Sequence, residues 1–177
     1  ARRGAEWSAI ANAAKNLSDL TSARLAALRW RMEDPDGFEP LTLAAGICAA
    51  ARDEEFAKNS IELLVRRFAD RPQAWFAAGV IRAQFGAIDQ AIYELKRAFA
   101  LDQSLTPAWD AIARLKPLHA GDPDIDFIAS LPERSAALPS SARASAHYAA
   151  AAAFDAVDDK PRAFANYVEG AALRRSE

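Results

Sequence analysis

Apolar positions along this chain recur at helical spacing and rarely at alternating spacing. Trp75, Ala78 and Gly79, with Arg82, step by three and four, which places them on one face of a helix. Ile88, Ala91, Ile92, Leu95 and Ala98 form a second stripe of the same kind. Gly86 stands between them as a turn. Asp89 then puts negative charge at the start of the second helix, where the dipole favours it. No stretch alternates convincingly with period two, and β-branched residues are few, so strands are not expected.

The helical stripes repeat along the chain. Trp7, Leu41, Trp75 and Trp109 stand at successive intervals of 34 residues. The same interval relates Ile10, Ala44, Ala78 and Ile112, and then the small residues Ala11, Ala45, Gly79 and Ala113. Ala23, Ala57 and Ala91 follow, then Ala27, Ile61 and Leu95. Each interval reads as two antiparallel helices. Small residues allow the close crossing inside each pair, and larger ones fill the grooves beside it. Three units, 4–37, 38–71 and 72–105, fit without insertion, and Pro35-Asp36-Gly37 closes the first.

The fourth unit, about 106–143, departs from this regularity. Trp109, Ile112 and Ala113 open it normally. Pro117, Gly121, Pro123 and Pro132 then interrupt it, and a regular second helix cannot run through those prolines. A short helix near 123–130 is expected, with a fresh start at Pro139-Ser140-Ser141. From 144 to 177 the period resumes, with His147, Ala150, Ala151, Phe154, Ala163 and Tyr167 in the expected columns and Asp158-Asp159 at the turn.

The period, the two helices per unit and the small columns resemble the tetratricopeptide repeat (TPR). The best unit is PQAWFAAGVIRAQFGAIDQAIYELKRAFALD, residues 72–102. The second is weakest, with Arg52 in place of the turn glycine and Glu54 in place of an aromatic. The resemblance implies an all-α fold, a right-handed α-solenoid of stacked helix-turn-helix hairpins. One irregular proline-rich connector precedes the last repeat. Residues 1–177 are read as a single domain.

Residues 106–177 carry a narrower resemblance. GDPDIDFIASL, followed by AHYAAAAAFDAVDDKPRAFANYVEGAALRR, is similar to the last repeats of bacterial TPR-containing sulfotransferases. His147-Tyr148, Pro161-Arg162-Ala163-Phe164 and Glu169-Gly170-Ala171 carry it, although Ala171 departs from the usual Asn. It implies that a sulfotransferase domain follows Glu177 in a parent protein. The start at Ala-Arg-Arg, without Met or a following apolar core, also reads as a fragment rather than a signal peptide.

Composition agrees with helices. Alanine, the best helix former, makes up about a quarter of the 177 residues. A net charge of −2 argues against a nucleic-acid footprint. The longest apolar runs, 41–51 and 148–154, fall short of the roughly 20 residues that span a bilayer. The expectation is a cytoplasmic protein without membrane insertion. Cys48 is the single cysteine, so no intrachain disulfide forms, and it reads as a buried inert thiol.

Candidate chemistry is thin. No P-R-S-G-T-T type loop, Gly-Lys-Ser/Thr or G-x-G-x-x-G holds a nucleotide. His119 reads as an exposed loop residue, and His147 as a packing or capping residue. Asp122, Asp124 and Asp126 alternate as in some calcium loops, but the required Gly and the distant bidentate Glu are missing. They are expected to cap the short helix. We therefore expect no catalytic residue, no cofactor and no metal.

What remains is a surface. By the resemblance, the first helices of successive units line a concave groove. Ser8, Asn12, Lys15 and Asn16 come from the first unit and Thr42 from the second. Phe76, Val80 and Gln84 come from the third, and Asp110 and Arg114 from the fourth. Gly46 and Ala49 lie on the same face. An apolar patch with a polar rim suits a peptide or helix. Only Asn12 matches the carboxylate-clamp positions, with Thr42, Leu43, Gln73 and Ala77 at or around the others, so chaperone-tail binding is disfavoured. Phe76 and Val80 alternatively pack against the chain's own 115–140 segment. The leading expectation is a non-catalytic interaction module with a protein or peptide partner. The alternatives are an accessory region covalently linked to a sulfotransferase domain and a self-associating scaffold, with the oligomeric state left open.

Overall fold

The computed structural model describes residues 2–176, and these are all-helical, with no strand among them. They divide into two compact units, residues 1–91 and 92–177. The first contains α1 (Arg2–Asn16), α2 (Leu20–Glu33), α3 (Phe38–Ala50), α4 (Glu54–Arg67) and α5 (Pro72–Gln84). Helix α6 (Ile88–Leu101) begins there and ends in the second unit, followed by α7 (Pro107–Leu115), α8 (Ile125–Ala129), α9 (Leu131–Arg134), α10 (Ser140–Ala156) and α11 (Lys160–Arg175).

The helices of a hairpin are joined by one recurring turn. Ser18, Arg52 and Asp158 have φ of 61° and Gly86 has φ of 79°. The first three turns, at 18, 52 and 86, are 34 residues apart. At each, the next amide donates to a carbonyl five residues back: Asp19 to Ala14, Asp53 to Cys48, Ala87 to Arg82 and Asp159 to Phe154, at 2.9, 2.9, 3.1 and 2.9 Å. This left-handed reversal satisfies carbonyls that the helix end leaves orphaned. Arg52 therefore replaces the usual glycine without changing the backbone path. The residue after the turn then caps the next helix. Asp19, Asp53 and Asp159 accept from the amides of Ser22, Phe56 and Arg162 at 3.0, 3.3 and 3.1 Å. Ala87 holds the equivalent place, accepting from Ala91 N through its carbonyl but offering no side-chain acceptor.

In the first unit the small columns are the core. Ala11, Ala23, Ala26, Ala27, Ala44 and Ile47 cluster where α1, α2 and α3 meet, with Trp7 against them. Ala45, Cys48, Ala57, Ile61, Ala78 and Ile81 do the same where α3, α4 and α5 meet. Ile10 departs from its column: it is 48% exposed, whereas Ala44 and Ala78 are fully buried. Among the described residues of this unit, α1 packs on α2 and α3.

In the second unit α10 lies against α7, α8, α9 and α11. A helix with neighbours on several sides must be thin, and Ala144, Ala146, Ala149, Ala150, Ala151 and Ala153 are buried along it. Gly170 of α11 allows that helix to approach closely, since a Cβ there would sit 3.1 Å from the Tyr148 ring and 3.3 Å from Ala144 O. The proline-rich stretch forms two one-turn helices, with Pro132 in the first turn of α9. Ile125, Ile128 and Leu131 bury their side chains. Phe127 meets Phe99 and Trp109 at ring-centroid distances of 5.8 and 5.3 Å.

The turn chemistry gives two stability predictions. Arg52→Gly relieves a left-handed conformation that costs about 1 kcal/mol in a non-glycine residue, partly offset by the greater freedom of glycine in the unfolded chain. Its urea midpoint should rise with an unchanged slope; a lower midpoint would show that Arg52 contributes more through its side chain than its backbone costs. Ala87→Asp should add about 1 kcal/mol by supplying the missing cap.

Candidate functional site

A concavity of about 360 Å³ lies in the first unit between α1 and α3. Leu43, Ile47, Phe38 and Trp30 supply its apolar lining, with Ser8 and Thr42 as its hydroxyls. The exposed Lys15 and Glu39 and the part-buried Gly46 complete its lining. Helix α3 positions most of these residues. It starts after Pro35-Asp36-Gly37 and presents Phe38, Glu39, Thr42, Leu43 and Gly46 at helical spacing.

The local chemistry is largely self-satisfied. Thr42 Oγ1 donates to Phe38 O at 2.8 Å, one turn back, leaving its lone pairs outward. Asn12 Nδ2 donates to Ser8 O at 2.9 Å, so that amide is tied to its own helix. Trp30 reaches the concavity from α2. It lies over Gly4, where a Cβ would come within 2.6 Å of its Nε1. Gly4 is therefore required for that close approach. Gly46 differs. A Cβ on it would meet nothing within 4 Å, although glycine inside a helix costs about 0.5–1 kcal/mol relative to alanine.

Of the residues expected on the groove, Ser8, Lys15 and Thr42 come together here. Asn12 and Asn16 are exposed on α1, outside the lining. Phe76 and Val80 are half-buried and Gln84 is exposed on α5, and none of the three lines this concavity. Asp110 and Arg114 belong to the second unit. They form an ion pair one helical turn apart, with the Asp110 side chain 6% exposed and that of Arg114 70% exposed. Sequence reasoning did not place Trp30, Phe38, Glu39 or Ile47 in the site. Trp30 stands on a second helix and outside the 34-residue register of the other tryptophans. The signal that could have found it is Gly4, a gap in an otherwise good helix former.

The remaining candidates have structural partners. Cys48 is fully buried, and burial pushes its thiol above the ordinary value despite the nearby Arg24 guanidinium. His147 Nδ1 lies 2.8 Å from Asn166 Oδ1, joining α10 to α11. Of the expected acidic caps, Asp124 stands at the start of α8 without a side-chain capping bond. It pairs instead with Lys96. Asp122 accepts from Lys116 Nζ at 2.6 Å and from the Asp124 amide at 3.1 Å. The Lys116 hydrogen bond holds its carboxyl below the usual range. These aspartates neutralise neighbouring lysines because they sit within the folded connector. Among the described residues no group of three or more His, Cys, Asp or Glu could hold a metal ion, and no helix is long and apolar enough to cross a membrane.

No protein-family model matches the chain, and no curated protein matches it. Solved structures do. Over 100% of this chain and 98% of the other, it is similar to MamA (residue 41 to the end) from Desulfovibrio magneticus RS-1, with TM-score 0.65 and 15% identity. YrrB, described as a TPR protein with an unusual peptide-binding site, matches at TM-score 0.59 and 16% identity, covering 93% of this chain and 83% of that one. The O-GlcNAc transferase of Thermobaculum terrenum matches at TM-score 0.63 and 17% identity, over 75% of this chain but only 26% of the enzyme. At these identities the likeness is one of fold. The chain has the tetratricopeptide-repeat fold, an all-α solenoid of helical hairpins.

Two outcomes follow from the buried groups. Cys48 should resist a thiol reagent in the native protein and react at once in denaturant. Asp110 has its pKa raised, first by burial, against the opposing pull of Arg114. A carboxyl that is harder to ionise when folded favours the folded state more as pH falls. The native chain should therefore gain stability relative to Asp110→Asn as pH drops from 7 through the raised pKa toward the ordinary value of 3.8; an invariant difference would sink the burial argument.

Proposed function

We propose that this chain is a non-catalytic protein-interaction module that receives a peptide or helix of a partner against the first helices of its hairpins. The observation that carries this reading is the concavity between α1 and α3, apolar at its base and polar at its rim. Such a surface gains by burying a partner's apolar side chains. The fold it shares with YrrB, described as binding peptide, supports the same reading. Phe76, Val80 and Gln84 extend the candidate surface along α5 in the same unit.

A linked sulfotransferase domain is a second reading, resting on the sequence likeness of 106–177. The residues that carry it lie together, with Gly170 under Tyr148 and His147 bonded to Asn166. Gly170, Tyr148 and His147 thereby help hold α11 on α10, whereas Phe164 is exposed.

The interaction reading is tested with a peptide selected by display against the native chain. Leu43→Glu should weaken that peptide about 10- to 100-fold, the equivalent of about 1.5–3 kcal/mol for one buried aliphatic side chain. Its helical circular dichroism should be unchanged. Affinity that survives Leu43→Glu and Phe76→Glu alike would rule out this face as the binding surface.

A further inference from the structure

We propose that the α1–α3 groove selects a short bipolar peptide, with a bulky apolar side chain seated over Gly46 between a basic and an acidic residue. The proposal rests on the interaction reading above and names the chemistry of its partner.

Gly46 is the first observation. Glycine is unfavourable in a helix interior, and some feature of the fold usually demands it. Here nothing does. A Cβ would meet no atom within 4 Å, and Gly46 is absent from the residues with positive φ. The equivalent positions one repeat before and after hold Asn12 and Val80. The missing side chain instead opens a recess beside Leu43 and Ile47, inside a concavity of about 360 Å³. That volume accepts a leucine, phenylalanine or tryptophan side chain.

The rim charges are the second observation. Lys15 lies in the last turn of α1 and Glu39 in the first turn of α3. Both are exposed, and neither has an ion-pair partner among the described residues. In the 34-residue register Glu39 corresponds to position 5 of α1, ten residues before Lys15. Ten helical residues rise about 15 Å and packed helix axes lie about 8–10 Å apart, so the two positions are about 17–18 Å apart, which an extended peptide covers in about five or six residues. A ligand whose basic group meets Glu39 and whose acidic group meets Lys15 satisfies both charges while its central side chain enters the recess. Each charge also suits its helix end, so the test must read polarity of binding and not stability alone.

The probes are five capped peptides: Lys-Ala-Trp-Ala-Asp, its reverse Asp-Ala-Trp-Ala-Lys, and versions with two lysines, two aspartates or only alanines around the tryptophan. Binding is read from backbone amide shifts on titration. One of the two bipolar orders should bind about three- to tenfold tighter than the neutral peptide at low salt, as two rim ion pairs would give. That advantage should vanish at high salt. In the double variant Lys15→Glu/Glu39→Lys the preferred order should switch to its reverse. Gly46→Leu should weaken all five peptides at least tenfold, while Gly46→Ala should raise the thermal midpoint. If the neutral peptide binds as well as both bipolar ones, or the double variant keeps the original preference, the charge selection is overturned while the interaction reading stands. If no peptide shifts the amides of α1 and α3, the groove assignment falls with it. A lower midpoint for Gly46→Ala would mean that the fold itself needs the glycine, and the recess argument would fail.

Discussion

The structure depends on one backbone constraint, the tight left-handed reversal that folds each long hairpin back on itself. Ser18, Arg52, Gly86 and Asp158 all adopt positive φ, and each is followed by an amide bonded five residues back. Three of the four are not glycine, so the conformation is imposed by the hairpin and not by the residue's own preference. The two helices must leave such a turn in near-contact. Alanine and glycine at the crossing are then required, because larger side chains would force the helices apart. The small columns of the sequence are a consequence of this turn.

The two units meet that constraint with different material. In residues 1–91 some buried columns are alanine or glycine throughout, and others add larger residues such as Leu41, Ile47, Ile61 and Leu64. In residues 92–177 the long helix α10 is alanine along most of its buried face, because α7, α8, α9 and α11 all approach it. Bulk is supplied instead by the partners, chiefly Trp109, Phe99 and Phe127, whose rings meet edge-on or tilted. Lysine and arginine cover these rings. Lys96 Nζ stands 5.4 Å from the Trp109 ring centre and Arg134 5.1 Å from that of Phe127. The charged stems thereby shield aromatic surface that a shorter connector would leave wet.

The proposed interaction role would rest on the shape of the groove and the charges beside it. Several ionisable residues outside the α1–α3 groove are committed to structure. Arg24 holds Asp53 at 2.5 Å, and Arg67 holds Asp36 at 2.5 Å. Asp122 and Asp124 are held by lysines from neighbouring segments. Lys15 and Glu39 stand exposed beside an apolar recess, where charged groups can meet a ligand.

The sequence by itself determined the helical period and the reversals at Arg52, Gly86 and Asp158. These follow from local geometry, since 3.6 residues per turn and a fixed unit length leave their mark at regular intervals. It also carried the interruption by Pro117, Pro123 and Pro132, which no long helix can absorb. Tertiary structure alone decided which residues outside the register meet. Trp30 entered the α1–α3 concavity because Gly4 let it lie close, and Ile10 is 48% exposed where Ala44 and Ala78 of the same column are buried. Asp110, expected on an open face, became a buried carboxylate beside Arg114. Periodicity tells which side of a helix a residue occupies; only the packing of several helices tells what stands opposite.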